Sequence, residues 1–264
     1  MRKRKIIKVI LKNGDTFQWE DRKVWAFAVY KGNDMEYFNL FFTNSNNITF
    51  KYKGKLLNFT GTQNNGALID VFLTEDYSFL RCENEDVVDI GANIGDSAVY
   101  FALNGAKKVI ALEPYPYSYS SAELNIKNNK LSNIITLLNA GYGNDGTITV
   151  SEDFRNGRSD LVESKHGRKI PLYSLRSIIE QYNLQNPVLK MDCEGCEYNL
   201  LNEADEIIRK FKRIQIEYHY GYRNLKNKLE SAGFKVTFTG PIKEYNKMSL
   251  NPHISRGYIY AEIL

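Results

Sequence analysis

Three cysteines, Cys82, Cys193 and Cys196, give no disulfide framework, which excludes a small secreted scaffold stapled by bridges. No uninterrupted apolar run approaches the ~20 residues of a membrane-spanning helix. The opening MRKRKIIKVILKNGD has the basic flank of a signal peptide, but its apolar part is short, is broken by Lys8 and runs into a turn at Asn13-Gly14. It reads as an internal strand, and a cytoplasmic protein is expected. Charge of one sign is lacking too: 35 Lys+Arg against 31 Asp+Glu leave a formal +4, with the lysines scattered. That is the pattern of a solvated face, and no nucleic-acid partner is expected. With 264 residues, 43% hydrophobic and 25% charged, there is room for one large core, or for a core and a small domain.

Two rhythms divide what is there. Up to about residue 80, short aromatic and β-branched runs (FQW, YFNLFF, ITFKY, LLNF) are separated by turn signals at Asn13-Gly14, Lys31-Gly32-Asn33 and Lys53-Gly54-Lys55. They predict a small antiparallel β region over 1–80, although DRKVWAFAVY has a pattern open to a helix. From Asp86 onward, the apolar runs VVDI, KVIAL, IITLLN, PVLKMD and RIQIEY alternate with helical patterns. Continuous apolar character suits strands buried on both faces, so residues 81–264 read as a doubly wound, mostly parallel α/β domain. RNLKNKLESAGFKVTFTG reads as helix then strand, and RGYIYAEIL as a closing strand that adds an antiparallel member.

Ligands of such sheets bind beyond the carboxyl ends of the strands, where the strand order reverses. VVDIGANIGDS is a strand, a tight turn and a helix start. Gly91 and Gly95 would let backbone approach a ligand, Asn93 lies between them, and Asp96 or Ser97 is placed to cap the helix. No Lys-Ser/Thr pair follows the second glycine, and the three-glycine dinucleotide spacing is absent, so both phosphate-binding loops fail. Asp89 in this turn would repel a pyrophosphate and suits a cationic ligand instead. Glu113, at the end of KVIALEP, stands where an acidic side chain takes both hydroxyls of a ribose, with Pro114 opening the next helix. A nucleoside with a charged amino-acid end and no phosphate is S-adenosylmethionine.

The succession VVDIGANIGDSAVYFA, VIALEPYPYSYSSAELNIKNN, PLYSLRSII, VLKMDCEGCEYNLL and IQIEYH resembles the FkbM-type family of S-adenosylmethionine-dependent methyltransferases over roughly residues 70–240. The resemblance implies the class I methyltransferase (Rossmann-like) fold, a mostly parallel seven-stranded sheet with helices on both faces, here with a β-rich N-terminal region added. It also implies transfer to an alcohol oxygen of a sugar or another polyhydroxylated metabolite, so a small-molecule or glycan acceptor. An N-methyltransferase and a cofactor-binding protein without transfer activity are the alternatives. The Asn/Asp-Pro-Pro-aromatic signature of adenine N-methylation is missing, which counts against a nucleobase amine.

Within that frame, Asn139 and Ala140 fall where groups surround the adenine, and Asp192 ends the fourth strand beside the transferring methyl. Glu194 follows in the turn, close enough for two carboxylates to repel. Cys193 and Cys196 invite a zinc or redox reading, but no second cysteine pair exists, so they read as packing residues and no metal is expected. Glu217 and His219, two apart at the end of the fifth strand, point the same way. The candidates for proton removal are therefore His219, Asp192, Glu194 and Glu217. His219 leads, because an ordinary imidazole accepts a proton near neutral pH. The polar stretch EDFRNGRSDLVESKHGRK reads as a mobile loop.

Overall fold

The computed structural model describes residues 7–10, 16–19, 47–61, 66–72, 74–152, 161–245 and 253–263. Two antiparallel hairpins come first, β1 (Ile7–Ile10) with β2 (Thr16–Trp19), and β3 (Asn47–Tyr52) with β4 (Lys55–Thr60). The second turns through Lys53 and Gly54, both at positive φ (48° and 77°), the twist that suits a two-residue hairpin. The helix considered for 21–30 lies outside the described residues.

Helix α1 (Gly66–Phe72) leads into the main sheet. The sheet's strands are β5 (Asp86–Ile90), β6 (Lys108–Leu112) and β7 (Ile135–Leu138), then, past a small separate sheet, β11 (Val188–Met191), β12 (Arg213–Tyr218), β13 (Phe234–Phe238), β14 (Ile242–Tyr245) and β15 (His253–Ile263). The separate sheet joins β8 (Gly141–Tyr142), β10 (Arg168–Tyr173) and β9 (Gly146–Val150) in that order. So the tail of the stretch expected to be a loop is a strand, and 153–160 lie outside the described residues.

The main order is β13-β15-β12-β11-β5-β6-β7, with β14 added along β15, eight strands rather than seven. Neighbours from β7 to β12 are parallel, and β15 runs antiparallel between β12 and β13. Every residue of β5 and β11 is buried, as required of strands covered on both faces. The covering helices include α2 (Asp96–Leu103), α3 (Pro116–Asn128), α4 (Leu175–Tyr182), α5 (Asp205–Ile208) and α6 (Arg223–Ser231). Ser174 caps α4 by accepting from the Ser177 amide. The order reverses at β5, whose chain neighbour β6 lies on one side and β11 on the other, so the cleft opens between the ends of β5 and β11.

Strands β3 and β4 and helix α1 pack into the same body. Tyr52, Leu57, Phe59, Leu68 and Phe72 join Tyr100, Phe101 and Val87 in one buried cluster. Strand β4 also finds a peptide-like partner on a helix. Asn125 accepts from the Thr60 amide (2.7 Å) and donates to the Thr60 carbonyl (3.1 Å), and Asn129, one turn on, does the same for Asn58 at 3.0 and 2.8 Å. Backbone groups at the strand edge are thereby satisfied by side chains.

Candidate active site

The glycine turn at the end of β5 is shaped by the protein's own backbone. Gly91 has φ +81°, and a Cβ there would stand 1.9 Å from the Asp192 carbonyl oxygen. Gly95 has φ +82° and would meet Ala122 of α3 at 3.2 Å. Backbone after β11 at Gly91, and helix α3 at Gly95, leave no room for a side chain at either position. No side chain caps α2: Gly95 is its N-cap, Asp96 is the first helical residue, and Ser97 turns inward to donate to Asp89 at 2.6 Å.

Asp89 is fully buried in β5, not in the turn, and its partner is internal. Lys190 of β11, 1% exposed, places Nζ 2.9 Å from Asp89 Oδ1 and donates to the Gly91 carbonyl at 2.7 Å. Burial alone would lower the Lys190 pKa, but the adjacent Asp89 and Asp192 charges raise it above its ordinary value, so the ammonium stays charged. The expectation that Asp89 awaits a cationic ligand is therefore corrected. Lysine inside the apolar run PVLKMD was the legible signal, since a cation there needs a buried carboxylate.

Glu113 follows β6 and is 5% exposed. Its Oε2 accepts from the Asn93 amide and its Oε1 from the Tyr115 amide, each at 2.9 Å. Burial pushes its pKa up to about 8, against the pull of those two donors. Asp96 at the start of α2 is raised to about 7 by burial, with the Lys190 charge opposing. Asn139 uses its side-chain amide to donate to the carbonyls of Glu113 (3.0 Å) and Pro114 (2.9 Å), so it braces the β6 turn; Ala140 beside it is fully buried.

Beyond β11 the chain makes a tight turn through Glu194 (φ 54°) and Gly195 (φ 120°), and Cys193 and Cys196 are joined by a disulfide. That corrects their reading as packing residues: the bridge closes the turn carrying Glu194. Glu197, fully buried and missed from sequence, accepts from the Gly195 amide (2.8 Å) and the His219 amide (3.0 Å), and its Oε1 lies 2.9 Å from His219 Nδ1. His219 Nε2 faces Glu194 at 3.2 Å. Burial works against a charged ring, but the Glu197 hydrogen bond and the Glu197, Glu194 and Asp192 charges hold its pKa up at about 10. Both ring nitrogens of His219 thus face carboxylates, Nδ1 towards Glu197 and Nε2 towards Glu194.

Asp192 and Glu217 complete the wall. Asp192 Oδ2 accepts from the Tyr77 hydroxyl at 3.1 Å, and Glu217 Oε1 accepts from Arg256 at 3.1 Å. Burial, then the Asp192 charge, raise Glu217 to about 7, while His219 and Arg256 pull it down. Tyr258 of β15 donates to Asp76 at 3.1 Å, and Gln215 of β12 donates to the Asp76 carbonyl at 2.7 Å. The segment just before β5 thus reaches the site through Asp76 and Tyr77. The structure gathers Asp192, Glu194, Glu217 and His219 at one edge, with Glu113 and Asp96 around the turn on the other side of the switch point. No helix among the described residues is long and apolar enough to cross a membrane.

Similarity to known proteins bears on this arrangement. Uncharacterized protein 158B of Sulfolobus islandicus rod-shaped virus 1 is 32% identical over 143 residues, 54% of this chain and 66% of that protein, a little under two thirds of its length. The solved structure of TYW2 from M. jannaschii in complex with AdoMet is 19% identical with a TM-score of 0.45, over 84% of this chain and 89% of that one. Methyltransferase FkbM from Methylobacillus flagellatus KT is 20% identical with a TM-score of 0.45, over 76% of this chain and 54% of that one, so the match spans about half of its length. Residues 89–236 match the profile described as Methyltransferase FkbM domain. That stretch is more than half of the 264 residues and contains the glycine turn, Glu113 and the acidic edge, so the chain belongs to the FkbM methyltransferase family.

Proposed function

We propose that this chain transfers a methyl group from S-adenosylmethionine to an alcohol oxygen of a sugar or another polyhydroxylated small molecule. The observation that carries the cofactor is Glu113. A buried carboxylate at the end of β6, fixed by two backbone amides, keeps lone pairs for two ribose hydroxyls. The side chains at the turn fit a ligand without phosphate: Asp96 and Glu113 are carboxyl groups, and Lys190 close by is bound to Asp89.

The acceptor reading rests on the opposite edge. Asp192, Glu194 and Glu217 with the Tyr77 and Tyr258 hydroxyls form a wall rich in hydrogen-bond acceptors, which suits a polyol and repels a phosphodiester chain. When bound, S-adenosylmethionine supplies a methyl on a cationic sulfur: the acceptor oxygen forms the C–O bond as the C–S bond breaks, leaving the neutral thioether. The protein's part is alignment, which in favourable intramolecular systems is equivalent to roughly 7–11 kcal/mol, and removal of the hydroxyl proton. Glu217, tied to Arg256 at the cleft edge, takes that proton.

Purified protein incubated with methyl-labelled cofactor and separate panels of sugars and polyols, small amines and RNA tests this reading. Label in an ether product, lowered roughly 10²–10⁴-fold in Glu217→Gln, is expected. Glu113→Ala loses two hydrogen bonds to the ribose, worth roughly 1.5–3 kcal/mol each, and binds the cofactor at least tenfold more weakly. Label confined to amines or RNA refutes the acceptor, and unchanged cofactor affinity in Glu113→Ala refutes the ribose contact.

A further inference from the structure

The turn after β11 and the end of β12 bring two carboxylates and one imidazole together. Asp192, Glu194 and His219 each offer one ligand atom, and these atoms all lie within 4.8 Å of one another. The Glu194 Oε2 to His219 Nε2 distance is 3.2 Å. Two ligands at about 2.1 Å from a metal and at right angles to each other stand about 3.0 Å apart, so this pair already has the spacing of neighbours in an octahedron.

The second observation lies behind the histidine. Metal-binding imidazoles characteristically give their other ring nitrogen to a carboxylate, which fixes the tautomer and the ring plane. Here Glu197, fully buried, sits 2.9 Å from His219 Nδ1 and is itself anchored by the amides of His219 and Gly195. The ring is thereby oriented with Nε2 towards Asp192 and Glu194. Four carboxylates, Asp192, Glu194, Glu197 and Glu217, surround one imidazole and one guanidinium, Arg256, an excess of negative charge that a cation balances. Asp192, with Tyr77 donating to its Oδ2, is held at the lip of the cleft and not inside the core.

We infer that Asp192, Glu194 and His219 bind one divalent cation, which replaces the proton on His219 Nε2 and releases it to solvent, with three protein ligands and the remaining positions open to the cleft. Two carboxylates and one imidazole suit a borderline ion such as Mn²⁺ better than the all-oxygen preference of Mg²⁺. Cys193 and Cys196, joined in a disulfide, supply no thiolate and stay outside the ligand set. Resting on the reading that the acceptor is an alcohol, the ion takes a hydroxyl of the acceptor at an open position, draws electron density from that oxygen and eases loss of its proton to Glu217. A polyol with adjacent hydroxyls occupies two such positions, which names the acceptor class more closely: a vicinal diol.

The test uses the full chain freed of metal by EDTA and dialysis, titrated with Mn²⁺ alone and followed by electron paramagnetic resonance. Binding of one Mn²⁺ per chain is expected, with electron–nuclear coupling to an imidazole nitrogen that disappears in His219→Gln. Glu194→Gln, at a partly exposed position that does not threaten folding, weakens binding at least tenfold, and Glu197→Gln about 10- to 100-fold through loss of ring orientation. Glu206→Gln, a surface change, leaves binding within twofold. Absence of bound Mn²⁺ with parallel calorimetric titrations of Zn²⁺ and Mg²⁺ also flat, or Mn²⁺ affinity unmoved by Glu194→Gln, overturns the site. The binding arm needs neither cofactor nor acceptor, so it stands apart from the transfer reading. If Mn²⁺ binds as expected but label appears only in amines, the alcohol reading fails and the site remains. If EDTA-treated protein methylates a vicinal diol at the full rate, the assigned role of the ion is overturned.

Discussion

Replacing Lys190 by methionine removes the cation from the centre of the sheet and leaves the rest in place. The two side chains have similar volume, so overpacking and cavity effects are small. What is lost is electrostatic: Nζ stands 2.9 Å from Asp89 Oδ1 and donates to the carbonyls of Gly91 (2.7 Å) and Ile90 (3.3 Å), with both side chains of the pair 2% exposed or less. Asp89 keeps only the Ser97 hydroxyl at 2.6 Å. Removing one partner of a buried pair costs about 3–5 kcal/mol, because the other charge is left without compensation. At roughly 2–4 °C per kcal/mol for a chain of this size, that is about 6–20 °C in Tm. Urea unfolding of the wild type, Lys190→Met, Asp89→Asn and the double variant supplies the cycle. The double variant should recover at least about 2 kcal/mol relative to additivity, since removing both charges ends the desolvation penalty. A loss below about 1 kcal/mol in Lys190→Met, or additive behaviour in the double variant, refutes the reasoning.

Gly91→Ala places a methyl 1.9 Å from the Asp192 carbonyl at a φ of +81°, so it should cost more than about 2 kcal/mol and weaken cofactor binding; wild-type Tm would contradict this. Glu113 and Asp96 have folded pKa values of about 8 and about 7, raised by burial above the ordinary 4.5 and 3.8. Between those limits the folded state holds more protons than the unfolded one, so stability should fall as pH rises from about 4 to 8. Thermal scans of Glu113→Gln should show a shallower decline; an identical slope removes Glu113 as a source. Thiol titration of denatured protein should find one free thiol without reductant, Cys82, and three after reduction, whereas three without reductant would rule out the bridge.

The parallel half of the sheet was legible because VVDI, KVIAL and PVLKMD carry continuous apolar character, which only strands buried on both faces need. Glu113 was legible as a carboxylate at a strand end, and the structure places it beside the turn as expected. The glycines were legible as positions of close backbone approach, though not what they approach. Spacing tells that a backbone approaches closely, but Asp192 lies about a hundred residues further on, and sequence does not say whether ligand or protein supplies the contact. The same holds for His219. Its strand position was readable, whereas the buried Glu197 that holds its Nδ1 comes from another turn, and an acid beside a tyrosine in CEYNLL looks like surface. Strand β10 begins inside a polar stretch, where strand pairing rather than composition makes the element.

Strand β15 is hydrogen-bonded along one side to β12 and along the other to β13, with β14 on its first residues. It also carries Arg256 to Glu217 and Tyr258 to Asp76. Seen as a fluctuating object, the molecule therefore has a cooperative unit of four strands whose opening is set by one of them. When β15 lets go, β12 and β13 lose their shared partner and Glu217 loses its guanidinium, while β5, β6 and β7 keep every ladder bond. Amide exchange should then sort by side of the cleft: protons in β12, β13 and β15 leave at a common rate, and those of β5 and β6 leave more slowly. Of the wall proposed to receive the acceptor, Glu217 and Tyr258 stand on the half expected to open first, whereas Asp192 and the carboxylate proposed to hold the ribose stand on the other.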